Sequence, residues 1–193
     1  MRKIGTANII EVMDEYDLLP VHNFKFGSHE DTYKISSEVF KKKVTQNVPD
    51  GCWYGCSMSC AKAADDFIPE TGPYKGQKVI VDGPEYETAG GVGSNIGVFC
   101  PKGVLELNFY CDTYGVDVIS FATTTAFIME CYENNIINKE ITGGLELYFG
   151  NKYAALELLH QMARGEGFGK IAGLGVRRLK KIFEEEYGAD RDF

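Results

Sequence analysis

Apolar positions first recur at helical spacing near the N-terminus, where Ile9, Ile10, Met13 and Tyr16 share one face of residues 6–16. Thr6 suits the N-cap, and Leu18-Leu19-Pro20 predicts the end of this helix, because a residue before proline is pushed out of the α region. Residues 21–34, with Gly27, Ser28, Asp31 and two histidines, read as an irregular connection. A second amphipathic helix is predicted from Ser37 to Thr45, with Val39, Phe40 and Val44 inward and Lys41-Lys42-Lys43 as a solvated face.

The pattern breaks over residues 46–101. Glycine and proline recur, and only Lys78-Val79-Ile80-Val81-Asp82 has strand character. A loop-rich stretch this long points to function more than to connection. From Pro101 the helical period returns through Val104, Leu105, Leu107, Asn108, Phe109 and Cys111 to a break at Gly115. The next helix, Val118 to Asn134, is apolar on most faces and therefore predicted to be buried. Asn151 caps another, through Tyr153, Leu156, Leu159 and Met162 to Gly165, and Gly173-Leu174-Gly175 precedes a charged helix from Val176 to Tyr187. The expected fold class is mainly α: a multihelical protein with a loop-rich segment and a little β.

Composition narrows the function. The 193 residues carry a formal net charge of −8, which argues against binding nucleic acid or an anionic membrane through bulk electrostatics. No apolar run approaches the roughly 20 residues that span a bilayer, and Met1-Arg2-Lys3-Ile4-Gly5-Thr6 lacks an apolar signal core. Six cysteines without an export signal fit a reducing compartment, so the cytoplasm is the expected location and the thiols are ligands or core residues.

The candidate chemistry is concentrated between Gly51 and Glu133. Cys52, Cys56 and Cys60 can present three thiolates to one centre if the backbone folds around it; on a regular helix the same spacing makes a core stripe. Gly51 and Gly55 weaken the helical alternative, since each costs about 1 kcal/mol inside a helix. Zinc in a closed site takes four protein ligands, and three clustered cysteines with a distant fourth suit a [4Fe–4S] cluster better. Glu85 and Glu87 lie in a turn between a strand-like run and a glycine-rich loop. There a partly desolvated carboxylate suits proton transfer, unless it is simply a surface acid. Asp112, Gly115 and Asp117 fall where one helix ends and the next begins. Their carboxylates suit an N–H-rich ring such as a pterin, or else serve as a helix stop and an N-cap. Cys100, Cys111 and Cys131 read as core thiols, and His22, His29 and His160 are assigned no role.

Together these pieces resemble the tungsten-containing aldehyde ferredoxin oxidoreductase family. The resemblance rests on the cysteine cluster, Gly-Pro-Glu-Tyr-Glu at 83–87, Gly-Ser-Asn-Ile-Gly at 93–97, Asp-x-x-Gly-Val-Asp at 112–117, Ile119-Ser120 and Met129-Glu130-Cys131-Tyr132-Glu133, in that order. Within the family, Gly-Cys-Trp-Tyr-Gly-Cys-Ser-Met-Ser-Cys at 51–60 looks closest to the tungsten subunit of class II benzoyl-CoA reductases. The resemblance implies that Cys52, Cys56 and Cys60 bind a [4Fe–4S] cluster, that Asp112, Gly115 and Asp117 contact one pterin of a tungsten (or molybdenum) bis-pterin, and that Glu87 handles a proton beside the metal. It implies ferredoxin or another electron-transfer subunit as partner. It also implies a division into residues 1–135, like the second family domain, and 136–193, like the start of the third.

Three departures accompany it. Cys52 and Cys56 are separated by three residues where the commoner family pattern has two. The family's N-terminal β-rich pterin base is expected to lie outside this sequence. The second aspartate–glycine–cysteine motif, with the fourth cluster ligand, and the family's active-site histidine would fall beyond Phe193. The expectation is one piece of a larger enzyme, with exposed apolar patches where other domains meet it and some tendency to associate.

Overall fold

The computed structural model describes residues 5–46, 55–58, 60 and 62–190. It is mainly α-helical, as the apolar periodicity predicts. The chain begins with a 3-10 turn, Thr6–Asn8, that runs into α1 (Ile9–Glu15), of which Ile10 is fully buried. Tyr16, expected on the inner face, is 70% exposed because the helix stops before it. Thr6 does not cap through its side chain. Its hydroxyl instead donates to the Glu85 carboxylate and accepts from the Tyr86 backbone N–H.

The second helix, α2 (Ser37–Lys41), buries Phe40 but ends four residues short of the expected Thr45. The chain there turns into β1 (Thr45–Gln46), the edge of an antiparallel sheet ordered β1, β2 (Lys62–Phe67), β3 (Val79–Asp82). Only β3 was expected. In β2, Lys62, Ala63, Ala64 and Phe67 are buried while Asp65 and Asp66 face water, and the register with β3 slips between Ala64 and Phe67. An irregularity of this kind interrupts the alternation that marks a strand in sequence.

After β3 come a single turn α3 (Tyr86–Thr88), a π segment Ala89–Gly93 and a 3-10 turn Ser94–Ile96. Then α4 (Pro101–Tyr114) starts with proline at its first turn and ends on Gly115 at φ 67°. Its partner α5 (Val118–Glu133) is capped by Asp117, which accepts from the Ser120 N–H at 2.7 Å. Phe121, Ala122, Ala126, Ile128, Met129 and Cys131 of α5 are buried. Asn151 caps α6 (Lys152–Arg164), which ends on Gly165 at φ 65°. Two further helices complete the described chain: α7 (Gly167–Ala172), absent from the sequence expectation, and α8 (Val176–Tyr187), within the expected bounds. One apolar core runs from Ala7 to Phe183.

Buried polar groups fasten the loops to these helices. Glu106 of α4 is fully buried and accepts from the Glu70 and Thr71 N–H groups at 2.9 and 2.7 Å and from the Thr71 hydroxyl at 2.7 Å. Since the Thr71 hydroxyl donates to Glu106, the His160 Nε2–H must donate to it, which leaves Nδ1 to accept from the Tyr114 hydroxyl. His160 is thus a neutral structural residue, its pKa lowered chiefly by burial. Outside this knot, Lys102 and Lys152 grip Glu70 at 2.8 and 3.1 Å and hold its carboxyl down at about 2.

Asn151→Ala removes the Ala154 cap bond and the 2.8 Å bond from Nδ2 to the Glu146 carbonyl. The expected loss is about 1 kcal/mol, measured by chemical denaturation; an unchanged midpoint would show that α6 is held by packing alone.

Candidate functional site

The cysteine segment is not helical where it is described. Gly55 to Met58 follow a turn and bends, and Cys56 and Cys60 are half-buried free thiols. A helical core stripe is therefore excluded for this pair. Cys52 lies outside the described residues. Among the described residues no three histidine, cysteine or acidic side chains converge as a metal site. The Cys60 thiol is pushed up first by burial, then by the Glu85 carboxylate, with a smaller contribution from Cys56, while Lys62 pulls it down. Partly accessible, non-helical thiols fit a thiolate-ligated centre.

Two residues past Cys60, Lys62 is only 1% exposed and places its Nζ 2.9 Å from Glu85 Oε1. Glu85 is the residue immediately before α3, and its other oxygen receives the Thr6 hydroxyl. The Gly83 N–H adds a 3.0 Å bond to the Lys62 carbonyl. Gly5, at φ 79°, lies directly over the lysine, where any Cβ would overlap the end of its side chain. Lys62 therefore joins the cysteine segment to the segment that carries Glu87. Sequence reasoning missed it because its importance depends on contacts with residues far away in the chain.

Glu87 is exposed and stands on the rim of an apolar groove of about 260 Å3. Leu18, Pro20, Phe24, Gly91, Ile119 and Ala122 form much of its wall and floor. Leu18, Phe24 and Ile119 are 62%, 65% and 54% exposed, which is the apolar patch expected of a face that meets something else. The motif residues around the groove have structural tasks. His22, Asn23 and Phe24 all take positive φ, and this turn is pinned by bonds to the Ser94 carbonyl, the Asn95 carbonyl and Asn95 Oδ1. Asn23 also donates to Glu130 Oε2 at 2.6 Å. At Gly91 an added Cβ would sit 3.0 Å from Ala122, so the π segment needs a glycine to lie against α5.

Asp112, Gly115 and Asp117 share the α4–α5 turn. Gly115 has open space where a side chain would be, and Asp117 is occupied as the α5 cap. Asp112 is exposed, yet its carboxyl is held above the usual range, first by partial desolvation and then by Asp82 at the end of β3. This turn thus adjoins the strand end that leads into Glu85 and Glu87. Cys111 and Cys131 behave as core, where burial pushes both thiols up to about 12, while Cys100 is only partly buried against the core.

The fold and these groups define a mainly helical domain with thiols and carboxylates gathered on its irregular segments. The chain belongs to the aldehyde ferredoxin oxidoreductase family, whose model for domains 2 and 3 matches residues 1–191. It is similar to the tungsten-containing aldehyde ferredoxin oxidoreductase of Pyrococcus abyssi, 34% identical over 185 residues, and to that of Pyrococcus horikoshii, 33% identical over 185 residues. Each match covers 94% of this chain and 28% of the relative. A third relative is the aliphatic sulfonate oxidoreductase, WOR-like subunit, of Pyrococcus furiosus, 36% identical over 137 residues, 71% of this chain and 21% of the relative. The chain thus spans a little over a quarter of the length of the aldehyde oxidoreductases it matches. Among the described residues, no helix is long and apolar enough to cross a membrane.

Cys111 and Cys131 are expected to stay unmodified by iodoacetamide in the folded chain and to react once denaturant is added, as read by mass spectrometry. Their stability contribution has a definite pH sign. Folding raises each thiol from 9.0 to about 12, so it is fully present below 9.0 and is lost as pH rises toward 12. A fold equally stable across that alkaline window would contradict the burial of these thiols.

Proposed function

We propose that this chain is the central part of a tungsten–pterin, [4Fe–4S] oxidoreductase that acts on aldehydes and passes electrons to ferredoxin. The observation that carries this reading is the joining, through Lys62 and Glu85, of the non-helical Cys56–Cys60 segment to the segment of Glu87. The family match and the names of the relatives support the cofactor and the substrate class.

In this reading Cys52, Cys56 and Cys60 hold the cluster, and residues 1–135 and 136–193 correspond to the second family domain and the start of the third. Asp112 and Asp117 accept hydrogen bonds from pterin N–H groups, and Gly115 leaves room for close approach. When bound, the tungsten–pterin supplies two-electron chemistry at a carbonyl carbon and the cluster supplies one-electron transfer. Glu87, exposed at the groove rim, takes or returns the proton that accompanies the reaction. Apolar walls at Leu18, Phe24 and Ile119 shield an apolar part of the bound molecule from water.

A second reading, the tungsten subunit of a benzoyl-CoA reductase, is favoured by the three-residue gap between Cys52 and Cys56. The same side chains then serve electron flow into an aromatic thioester. A stand-alone iron–sulfur or zinc module is the non-catalytic alternative.

Anaerobic purification with metal analysis and EPR, on the wild type and Cys56→Ser, separates these outcomes. The expected result is about four irons per chain, with a reduced-state signal that is lost in the variant. Stoichiometric zinc would favour the module. No metal, with unaltered folding of Cys56→Ser, would overturn the cluster assignment.

A further inference from the structure

The ammonium of Lys62 has almost no access to water, so its charge is screened by little besides Glu85. Glu85 is in turn fixed at three points: by Lys62, by the Thr6 hydroxyl, and by its place just before α3. Two opposite charges are thus held firmly beside the strand that begins two residues after Cys60. They are not needed to close the sheet, since the β2–β3 ladder is made by backbone groups. A lysine buried at a sheet end, over a glycine that gives it room, is a costly way to fill space.

We propose that Lys62 and Glu85 form a potential-setting pair for a cluster held by Cys52, Cys56 and Cys60, with Lys62 drawing the reduction potential up and Glu85 drawing it down. The inference rests on the cluster assignment of the preceding subsection. The chemistry is a one-electron couple: the cluster gains one electron, so its negative charge grows by one. A nearby cation favours that state and a nearby anion opposes it. The two side chains are tuning residues that act through space, and neither is a ligand or an acid–base group.

The test is an anaerobic redox titration followed by EPR on the iron-loaded chain, comparing wild type, Lys62→Met, Lys62→Arg and Glu85→Gln. Lys62→Met is expected to lower the midpoint and Glu85→Gln to raise it, each by a tenfold change in the oxidised-to-reduced ratio, about 59 mV for one electron. Lys62→Arg keeps the charge and is expected to stay near wild type. A purely structural role would move both variants the same way or not at all, and either result at equal iron content would overturn the pair's role. If Lys62→Met fails to fold, Glu85→Gln decides, because glutamine still accepts from Lys62 while its charge is gone; an unmoved or lowered midpoint there is fatal. Wild-type chain that takes up no iron would instead overturn the cluster assignment itself, and this inference with it.

Discussion

A lysine that is 1% exposed can keep its charge only beside an acceptor, and the loop-rich half of this chain is built around supplying one. Glu85 reaches Lys62 because the Gly83 N–H binds the Lys62 carbonyl, and because Asn108 holds the Asp82 carbonyl from the side of α4. Thr6 then binds both Glu85 and the Tyr86 N–H, so the N-terminal turn closes over the same point. Breaking a fully buried pair by removing one partner costs about 3–5 kcal/mol. With the Glu85 side chain 35% exposed, water can take over part of its role and the cost here is smaller. Even so, three stretches distant in sequence meet at one ammonium.

The helical half buries a carboxylate beside a neutral histidine instead. Around α4 and α6, Glu106 Oε1, Thr71 and His160 are linked in a fixed order of donors and acceptors. This clip needs the carboxylate inside and the histidine neutral, and burial favours the neutral imidazole. The result is a core whose helices hold the 69–77 loop still, while the cysteine segment and the groove remain on irregular backbone at its edge.

What was legible in the sequence follows from this division. Helices α4, α5, α6 and α8 were readable because each carries its own period together with a local stop or start: Pro101, Gly115, Asp117, Asn151, Gly165, Gly175. Strand β2 was not, because Lys-Ala-Ala-Asp-Asp-Phe has no β-branched residue and its alternation breaks at the register slip. The end of α2 at Lys41 was set by pairing of β1 with β2, a contact no local window contains. Thiols and acids announce themselves by type, so Cys56, Cys60, Glu87 and Asp112 could be singled out as candidates. Lys62, Glu85 as its partner, and His160 could not, since an isolated lysine or histidine looks like a surface residue until its neighbours are known.

The α4–α5 turn shows how far local structure can account for a motif. Gly115 is required at φ 67°, and Asp117 is an N-cap worth about 1 kcal/mol. Both would stand there in a protein with no cofactor. Asp112 is different. It sits in the last turn of α4, where the helix dipole opposes a negative charge, and it faces a second carboxylate at Asp82. The fold gains nothing from an acid at this position and loses some stability to it. Under the proposed reading, N–H donors lying against this turn would relieve that repulsion on binding. Of the three motif residues, Asp112 is therefore the one that local structure leaves unexplained.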